Sequence, residues 1–259
     1  MSRIPLVFIT GASSGIGQAL AARYAQAGWR LALSARRADL LEARLQAQGL
    51  GADRARVYAA DVAQIDSIAA AGAACIAAQG LPDVVIANAG ISVGMDTAER
   101  ADLDVMHDTL MLNTLGVAAT FHPFLAGMRA RRSGTLVGIA SMAAVRGLPG
   151  HGAYCASKAG VVAYCESLRL ECRGDGVRVV ALLPGYVATP LTARNRYSMP
   201  FMLQADEFAA RAMRAIGRGA GQAIIPWQMA LVARLMRLLP DALYDRLMSG
   251  RGRKGRRNS

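Results

Sequence analysis

Short apolar runs alternate with longer alanine-rich stretches through the first 190 residues of the chain. The short runs have the length and composition of β-strands, and the longer ones have the apolar spacing of α-helices. Strands that alternate with helices form βαβ units, which predict a doubly wound, mostly parallel sheet flanked by helices. The predicted strands are Ile4–Thr10, Arg30–Ser34, Ala55–Ala59, Val84–Ala87, Gly134–Ile139, Val177–Leu183 and, after a polar arginine-rich region, Gln222–Pro226. The predicted helices are Gln18–Ala27, Asp39–Gln48, Asp66–Gln79, Leu103–Arg131 and Tyr154–Arg173.

No linker interrupts this alternation, so residues 1–226 are predicted to form a single domain. Residues 227–249 are predicted to add an amphipathic helical extension. The last residues, 250–259, are rich in glycine, arginine and lysine. They are expected to be disordered, because they cannot bury enough apolar surface to order themselves.

The first predicted strand ends in a glycine-rich turn that leads directly into a helix. Its sequence is Thr10-Gly11-Ala12-Ser13-Ser14-Gly15-Ile16-Gly17. Glycine permits a tight turn with positive φ and lets the backbone approach a pyrophosphate closely. The start of the following helix offers free N–H groups and the positive end of its dipole to the anion. The turn therefore predicts a dinucleotide site, although an ordinary strand-to-helix turn with incidental glycines has the same local form.

The end of the second predicted strand bears on which dinucleotide is bound. An NAD site normally places an acidic side chain about 20 residues beyond the glycines, where it holds the ribose 2′-hydroxyl. This chain has Ala35 there, followed by Arg36 and Arg37. Guanidinium groups match a 2′-phosphate, which a carboxylate would repel, so the sequence favours NADP(H) over NAD(H). The nearby Asp39 is interpreted as the cap of the next helix, and an arginine pair on a solvated surface is the alternative.

A tyrosine and a lysine four residues apart, Tyr154 and Lys158, lie on one face of a predicted helix. Free tyrosine has a pKa of about 10, and a fixed ammonium close by is expected to lower it. The tuned hydroxyl would then exchange a proton with a carbonyl or alcohol oxygen. Ser141 follows a predicted strand and is expected at the carboxyl edge of the sheet, where it can hydrogen-bond the same oxygen. The spacing alone is weak evidence and gains weight only from the accompanying motifs.

Further motifs occur in order along residues 4–190, and together with the turn and the tyrosine–lysine pair they form a specific set. They are Asp61-Val62, Asn88-Ala89-Gly90, Asn113, Ser141 and Pro184-Gly185. On these residues the chain resembles the short-chain dehydrogenase/reductase family. The resemblance implies a Rossmann-type, seven-stranded parallel sheet, an NADP(H)-dependent oxidoreductase with a small-molecule carbonyl or alcohol substrate, and a homodimer or homotetramer. One departure is Ala87, where the family often has a second asparagine.

The resemblance also implies roles for individual residues. Tyr154 would be the catalytic acid/base, Ser141 would orient the substrate oxygen, and Lys158 would hold the nicotinamide ribose as well as tune the tyrosine. Asn113 would hold a water that relays protons to Lys158. The segment from about residue 189 to 226 would form much of the substrate pocket. The cofactor would contact Gly11, Ser13, Ser14, Gly15, Ile16, Gly17, Arg36, Arg37, Asp61, Val62, Asn88, Ala89, Gly90, Tyr154, Lys158, Pro184, Gly185, Val187 and Thr189.

The net charge of +12 has two sources, because five of the positive charges lie in the last nine residues. The segment Trp227–Leu239 interleaves Arg234 and Arg237 with leucines, and a basic amphipathic helix followed by a polybasic tail can rest weakly on an anionic membrane surface. A helix packed on the body, followed by a solvated tail, is the alternative. Specific nucleic-acid binding is not predicted, since no aromatic platform or recognition motif accompanies the tail.

The remaining composition excludes several other classes. The four cysteines include no C-x-x-C pair and the three histidines are scattered, so no metal site is predicted. His151, three residues before Tyr154, is interpreted as a solvated or capping residue, and contact with the substrate is the alternative. No signal peptide is recognised, and a cytoplasmic location is expected, peripheral to a membrane if the amphipathic segment binds one. Three functions stay open: a soluble NADP(H)-dependent carbonyl reductase or alcohol dehydrogenase, the same enzyme on a membrane with a lipophilic substrate, and a non-catalytic cofactor-binding protein.

Overall fold

The computed structural model describes residues 3–193, 195, 197–250 and 252–256. Within them, seven parallel strands form one sheet in the order β3-β2-β1-β4-β5-β6-β9, with helices on both faces. These strands are β1 (Leu6–Thr10), β2 (Arg30–Ala35), β3 (Ala55–Ala59), β4 (Val84–Ala87), β5 (Gly134–Ile139), β6 (Val177–Pro184) and β9 (Gln222–Ile225), and a separate short pair is β7 (Val187–Ala188) with β8 (Leu203–Gln204). The predicted Rossmann-type doubly wound fold is confirmed.

The helices lie in two layers, one on each face of the sheet. Helices α1, α2 and α7 pack on one face, and helices α3, α5 and α6 pack on the other. The bounds are α1 (Gly15–Gln26), α2 (Ala38–Ala47), α3 (Ile65–Gln79), α4 (Asp102–Leu110), α5 (Gly116–Arg131), α6 (Gly152–Glu171), α7 (Ala205–Gly217), α8 (Trp227–Leu238) and α9 (Asp241–Met248).

Strand β1 shows why the sheet is stable between these layers. Leu6 and Phe8 join the core on one face, Val7 and Ile9 join the core on the other, and all four are fully buried. A central parallel strand is apolar on both sides because helices cover both faces. The same burial brings the carboxyl end of β1 to the middle of the sheet edge.

The predicted helix Leu103–Arg131 is broken by a π-helical turn at Met111–Leu115, between α4 and α5. The whole run Asp102–Arg131 is long and apolar enough to cross a membrane by length and composition alone. Phe121 and Phe124 of α5 are fully buried under the sheet. We therefore interpret the run as a core helix of the domain.

Of the residues in the predicted disordered tail, 252–256 lie against the body of the fold, and 251 and 257–259 lie outside the described residues. The Arg256 Nε donates to the nearly buried carboxylate of Asp102 at 2.6 Å. The Gly94 N–H donates to the carbonyl of Gly255 at 2.9 Å. Ion pairing and backbone hydrogen bonds, rather than apolar burial, order this segment.

Candidate active site

A cleft of about 300 Å³ opens at the carboxyl ends of the sheet strands. Strands β1 and β4 are neighbours there although two strands separate them in sequence, which makes this the switch point where α/β sheets bind ligands. Every predicted cofactor residue except Gly17 lines the cleft. Of the predicted catalytic residues, Ser141, Tyr154 and Lys158 line it, and Asn113 does not. The wall also includes residues that belong to no motif: Ser34, Ala60, Ile91, Leu112, Ile139, Ala140, Pro190, Leu191 and Thr192.

The glycine turn forms one end of the cleft, and two of its glycines are required by close contacts. Gly11 has a φ of 65°, and a Cβ there would lie 2.8 Å from the Ala89 Cα. A Cβ on Gly17 would overlap the Gly11 carbonyl and would lie 2.5 Å from the Asn88 Nδ2. Gly17 thus lies behind the turn, where it lets helix α1 pack closely, and it does not reach the cleft itself.

The turn is held in place by hydrogen bonds to neighbouring loops. The Thr10 Oγ1 accepts from the Asn88 N–H at 3.0 Å, and the Asn88 Nδ2 donates back to the Thr10 carbonyl at 2.9 Å. Arg44 of α2 donates to the Ser13 carbonyl at 3.2 Å. Ser14 precedes α1 without a side-chain cap, and Gly15 and Ile16 of the first helical turn line the cleft. The contact of Arg44 with the turn could not be predicted from the sequence, because an arginine on a helix surface is usually solvated.

Arg36 and Arg37 follow strand β2 and line the cleft with exposed side chains. Ala35 ends the strand, so no carboxylate occupies the position that would hold a ribose 2′-hydroxyl. Asp39 lies inside the first turn of α2, whose N-cap position is Arg37, and no side-chain cap forms there. The interpretation of Asp39 as a cap is therefore wrong. Its carboxylate lies in the first turn, where it interacts favourably with the positive end of the helix dipole.

Tyr154 and Lys158 lie one turn apart on α6, and Ser141 follows strand β5 at the same edge of the sheet. The Lys158 ammonium lies 5.9 Å from the centre of the Tyr154 ring. It donates to the Ile139 carbonyl at 2.8 Å, which ties the lysine to the end of β5. The helix and the strand together therefore fix the three polar groups on one wall of the cleft.

Burial sets the direction in which the pKa values of this group move. Burial raises the pKa of the Tyr154 phenol, and a hydrogen bond with Ser141 lowers it only in part. Burial lowers the pKa of Lys158 to about 8. The pKa of Tyr154 is therefore shifted upward overall, and the lowering expected from Lys158 does not outweigh the effect of burial. At neutral pH the phenol is protonated and the amine is mostly charged.

Asn113 is fully buried behind the cleft wall, in the π-helical turn. Its Oδ1 accepts from the Ile91 N–H at 2.8 Å, and its Nδ2 donates to the Ile91 carbonyl at 2.9 Å and to the Ser157 Oγ at 3.0 Å. A Cβ on Gly90 would lie 3.2 Å from the Asn113 Oδ1 and 3.4 Å from the Lys158 Nζ. Asn113 therefore fixes the loop that follows β4, and the missing side chain of Gly90 leaves the space beside Lys158.

A second cavity of about 170 Å³ adjoins the cleft, and Ser141 and Tyr154 line both. His151 belongs to its wall and is 6% exposed, with its Nδ1 3.0 Å from the Pro149 carbonyl and its Nε2 3.3 Å from the Tyr197 hydroxyl. The interpretation of His151 as a solvated residue is therefore wrong, whereas His151 does occupy the N-cap position of α6, without a side-chain cap. The apolar and aromatic wall residues are Met142, Ala143, Leu148, Tyr186, Leu191, Tyr197, Pro200, Met229, Val232 and Met236.

The fold and the cleft define a class of protein, an α/β protein with a Rossmann-type sheet and a ligand cleft at the carboxyl edge of that sheet. The family model described as short chain dehydrogenase matches residues 5–199. An uncharacterised oxidoreductase of Myxococcus xanthus is 39% identical over 238 residues, which cover 92% of this chain and 93% of that protein. The chain belongs to the short-chain dehydrogenase/reductase family.

Two solved structures share the fold over most of its length. A variant of actinorhodin polyketide ketoreductase, solved with NADPH, is 30% identical with a TM-score of 0.77, and the match covers 87% of this chain and 97% of that one. The L-sorbose reductase of Gluconobacter frateurii, solved with NADPH and L-sorbose, is 25% identical with a TM-score of 0.76. That match covers 86% of this chain and 95% of the reductase.

Proposed function

We propose that this protein is an NADP(H)-dependent oxidoreductase that interconverts a carbonyl and a secondary alcohol, with Tyr154 as the acid/base. The observation that carries the proposal is the position of Ser141 and Tyr154, which line both the dinucleotide cleft and the adjoining apolar cavity. A substrate oxygen held by these two hydroxyls would lie where cofactor and substrate meet. Proton exchange needs this placement, because an acid or base must be within hydrogen-bond reach of the reacting oxygen.

The cleft fits a dinucleotide phosphate on the chemistry of its own residues. Gly11, Ser13 and Ser14 of the turn line the cleft, and the uncapped start of α1 offers N–H groups to an anion. Arg36 and Arg37 supply guanidinium groups for a 2′-phosphate. Both reductases above were solved with NADPH, which supports the same choice here. When bound, the nicotinamide supplies or accepts the hydride.

Tyr154 acts as an acid in the direction of reduction. Burial raises the pKa of its phenol, so the hydroxyl is protonated at neutral pH and can donate to a carbonyl oxygen as the alcohol forms. Ser141 hydrogen-bonds the same oxygen and orients it. The Lys158 ammonium stabilises the phenolate that remains after donation. In the direction of oxidation the phenolate accepts the proton of the alcohol.

The test measures turnover over a panel of aldehydes and ketones, with NADPH and NADH in parallel. The proteins compared are the wild type, Tyr154→Phe and the control Tyr164→Phe. Tyr164 lies on the same helix, stacked against Phe121 with its ring centre 6.3 Å away, and is not among the residues that line the cleft. We expect Tyr154→Phe to bind NADPH normally and to lose turnover by roughly 10²–10⁴-fold, the usual contribution of a general acid. Tyr164→Phe should retain turnover.

Each part of the proposal has its own contradicting result. Retained turnover in Tyr154→Phe would contradict the role of the tyrosine. A preference for NADH would contradict the role of Arg36 and Arg37. No turnover across the panel, together with no binding of either nucleotide, would overturn the assignment as an enzyme.

A second candidate is the same chemistry at a membrane surface, on a lipophilic substrate. Helix α8 is apolar on two opposite sides, since Met229 lines the substrate cavity while Trp227 and Leu238 are 64% and 81% exposed. The helix carries Arg234 and Arg237 and no acidic residue. Its outer side therefore complements an anionic lipid surface. Binding to anionic vesicles tests this candidate.

A further inference from the structure

Lys254 of the basic tail places a positive charge at the second cavity, which lies beside Tyr154. Lys254 belongs to its wall, and the Lys254 ammonium donates to the Asn195 Oδ1 at 2.5 Å. Arg146 is the other lysine or arginine on the described wall. The described residues that line the cavity include no aspartate and no glutamate. The wall is therefore mainly apolar and carries net positive charge.

Arg146 serves the fold. Its guanidinium donates to the carbonyls of Met236 and Leu239 at 3.0 Å each and to the Asp241 carboxylate at 2.8 Å. It also lies 4.1 Å from the centre of the Tyr244 ring. These contacts hold α8 and α9 against the body of the fold.

The tail that carries Lys254 is anchored on both sides of it. Arg256 pairs with the Asp102 carboxylate at 2.6 Å, and the Asp102 side chain is only 7% exposed. Arg253 pairs with Asp96 at 3.0 Å. Removing one partner of a buried ion pair leaves an uncompensated charge, so the Asp102 pair is the stronger anchor. Lys254 lies between the two anchors, and its position at the cavity follows from theirs.

Two glycines of the body let the tail backbone approach closely. A Cβ on Gly150 would lie 3.0 Å from the Lys254 backbone nitrogen and 3.1 Å from the Arg253 Cβ. A Cβ on Gly94 would lie 2.6 Å from the Gly255 carbonyl oxygen. Because Gly94 has no side chain, the two backbones can approach closely enough for this oxygen to accept a hydrogen bond from the Gly94 N–H. Backbone contact of this kind fixes the depth at which Lys254 enters the cavity. A basic tail extending into solvent would make no such backbone contacts.

We propose that Lys254 binds the substrate, and that the substrate carries a carboxylate on an apolar body. The inference rests on the proposed carbonyl–alcohol chemistry at Tyr154. An ammonium on a largely apolar wall attracts an anion more strongly than it does in water, because the effective dielectric is lower. Its hydrogen bond to a carboxylate is charge-assisted. The apolar wall, which includes Met229, holds the body of the substrate, and Lys254 sets which carbonyl along that body reaches Ser141 and Tyr154.

The test compares a series of aliphatic keto acids of increasing chain length with the matching neutral keto amides, with NADPH as the reductant. The readout is the ratio of kcat/KM for each acid to kcat/KM for its amide. In Lys254→Met we expect this ratio to fall by roughly tenfold to a hundredfold, the loss typical of a hydrogen bond to a charged group. Lys254→Arg keeps the charge and should recover part of the ratio. Arg173→Met removes an exposed positive charge just after α6, controls for the change in net charge, and should leave the ratio unchanged.

The outcomes separate this proposal from the proposed function. An unchanged ratio in Lys254→Met, or an equal fall in Arg173→Met, would overturn the role of Lys254. Wild-type reduction of amides but not of acids would overturn the anionic substrate and leave the carbonyl chemistry standing. If the wild type reduces neither of these nor any aldehyde or ketone of the panel above, and binds neither nucleotide, the proposed function fails. Lys254 is then judged by thermal stabilisation with the matching hydroxy acids, and equal stabilisation of the wild type and Lys254→Met would overturn it.

Discussion

Replacing Lys158 with methionine is expected to change how the folding stability depends on pH. Lys158 is 4% exposed, and burial lowers its pKa from the ordinary 10.5 to about 8. Between these two pH values the unfolded chain binds more protons at this lysine than the folded protein does. The free energy of unfolding of the wild type therefore rises with pH across this window, as far as Lys158 determines it.

The size of the effect follows from the two pKa values. At pH 7 the lysine is protonated in both states, and burial of the ammonium costs about 3 kcal/mol, because each pKa unit corresponds to about 1.4 kcal/mol. At about pH 9.5 the folded lysine is neutral while the unfolded one is still mostly charged, and about 2 kcal/mol of that cost has disappeared. The variant also loses the hydrogen bond to the Ile139 carbonyl, so the pH dependence is the diagnostic quantity and the stability at one pH is not.

Urea unfolding of the wild type and Lys158→Met at steps between pH 7 and about pH 9.5 measures this difference. Over this range we expect the free energy of unfolding of the wild type to rise by about 2 kcal/mol relative to that of the variant. Burial raises the pKa of Cys165 and Tyr164 to about 12, which lowers stability as the pH rises. Both groups are present in both proteins, so they cancel in the difference. A difference that does not change with pH would refute the reasoning, because Lys158 would then keep its ordinary pKa in the fold.

Two further predictions concern the turn and the extension. Gly17→Ala should lower the free energy of unfolding by about 1–3 kcal/mol, the usual cost of overpacking, and should weaken NADPH binding, because its Cβ would lie 2.5 Å from a side-chain nitrogen of the neighbouring loop. Gly217→Ala meets nothing within 4 Å and should be neutral or slightly stabilising, so equal melting temperatures of the two variants would contradict the steric explanation. The double variant Leu231→Glu, Leu235→Glu should co-sediment less with anionic vesicles than the wild type, and Leu170→Glu on the exposed side of α6 should not. Equal loss in both variants, or no binding of the wild type, would contradict the membrane candidate.

The central strand β1 could be predicted from its two-sided burial, whereas helix α7 could not be predicted. Strand β1 has four consecutive fully buried apolar residues, and such a run has few alternatives to a central strand. Helix α7 lies in the polar arginine-rich region and was not predicted as a helix. It buries only one side, which includes Phe208 and Ile216, and its other side is solvated, with Asp206 paired to Arg23 of α1. The apolar residues of α7 do have helical spacing, but the charged residues between them make the pattern hard to recognise in the sequence.

The cleft could be predicted as far as local geometry determines it. The Gly11 turn needs a positive φ and a close backbone approach, and both requirements are visible in the sequence. The direction of the Tyr154 pKa could not be predicted, because a tyrosine–lysine spacing on a helix does not encode how deeply the pair is buried. The role of Asn113 was equally hidden. Its amide contacts a loop more than 20 residues away in sequence, and the π-helical turn that presents it has no periodic signal.

The tail shows that the position of one segment can depend on a residue far away in sequence. Composition predicts disorder for residues 250–259, on the premise that these positive charges meet only one another and water. Asp102 offers one of these charges another partner, because Asp102 is 5% exposed in the body of the fold, where a carboxylate without a cation is costly. Its pairing with Arg256 relieves that cost and brings Lys254 to the substrate cavity. The position of the tail therefore depends on a buried acid far away in sequence. The sequence of the tail alone does not contain this information.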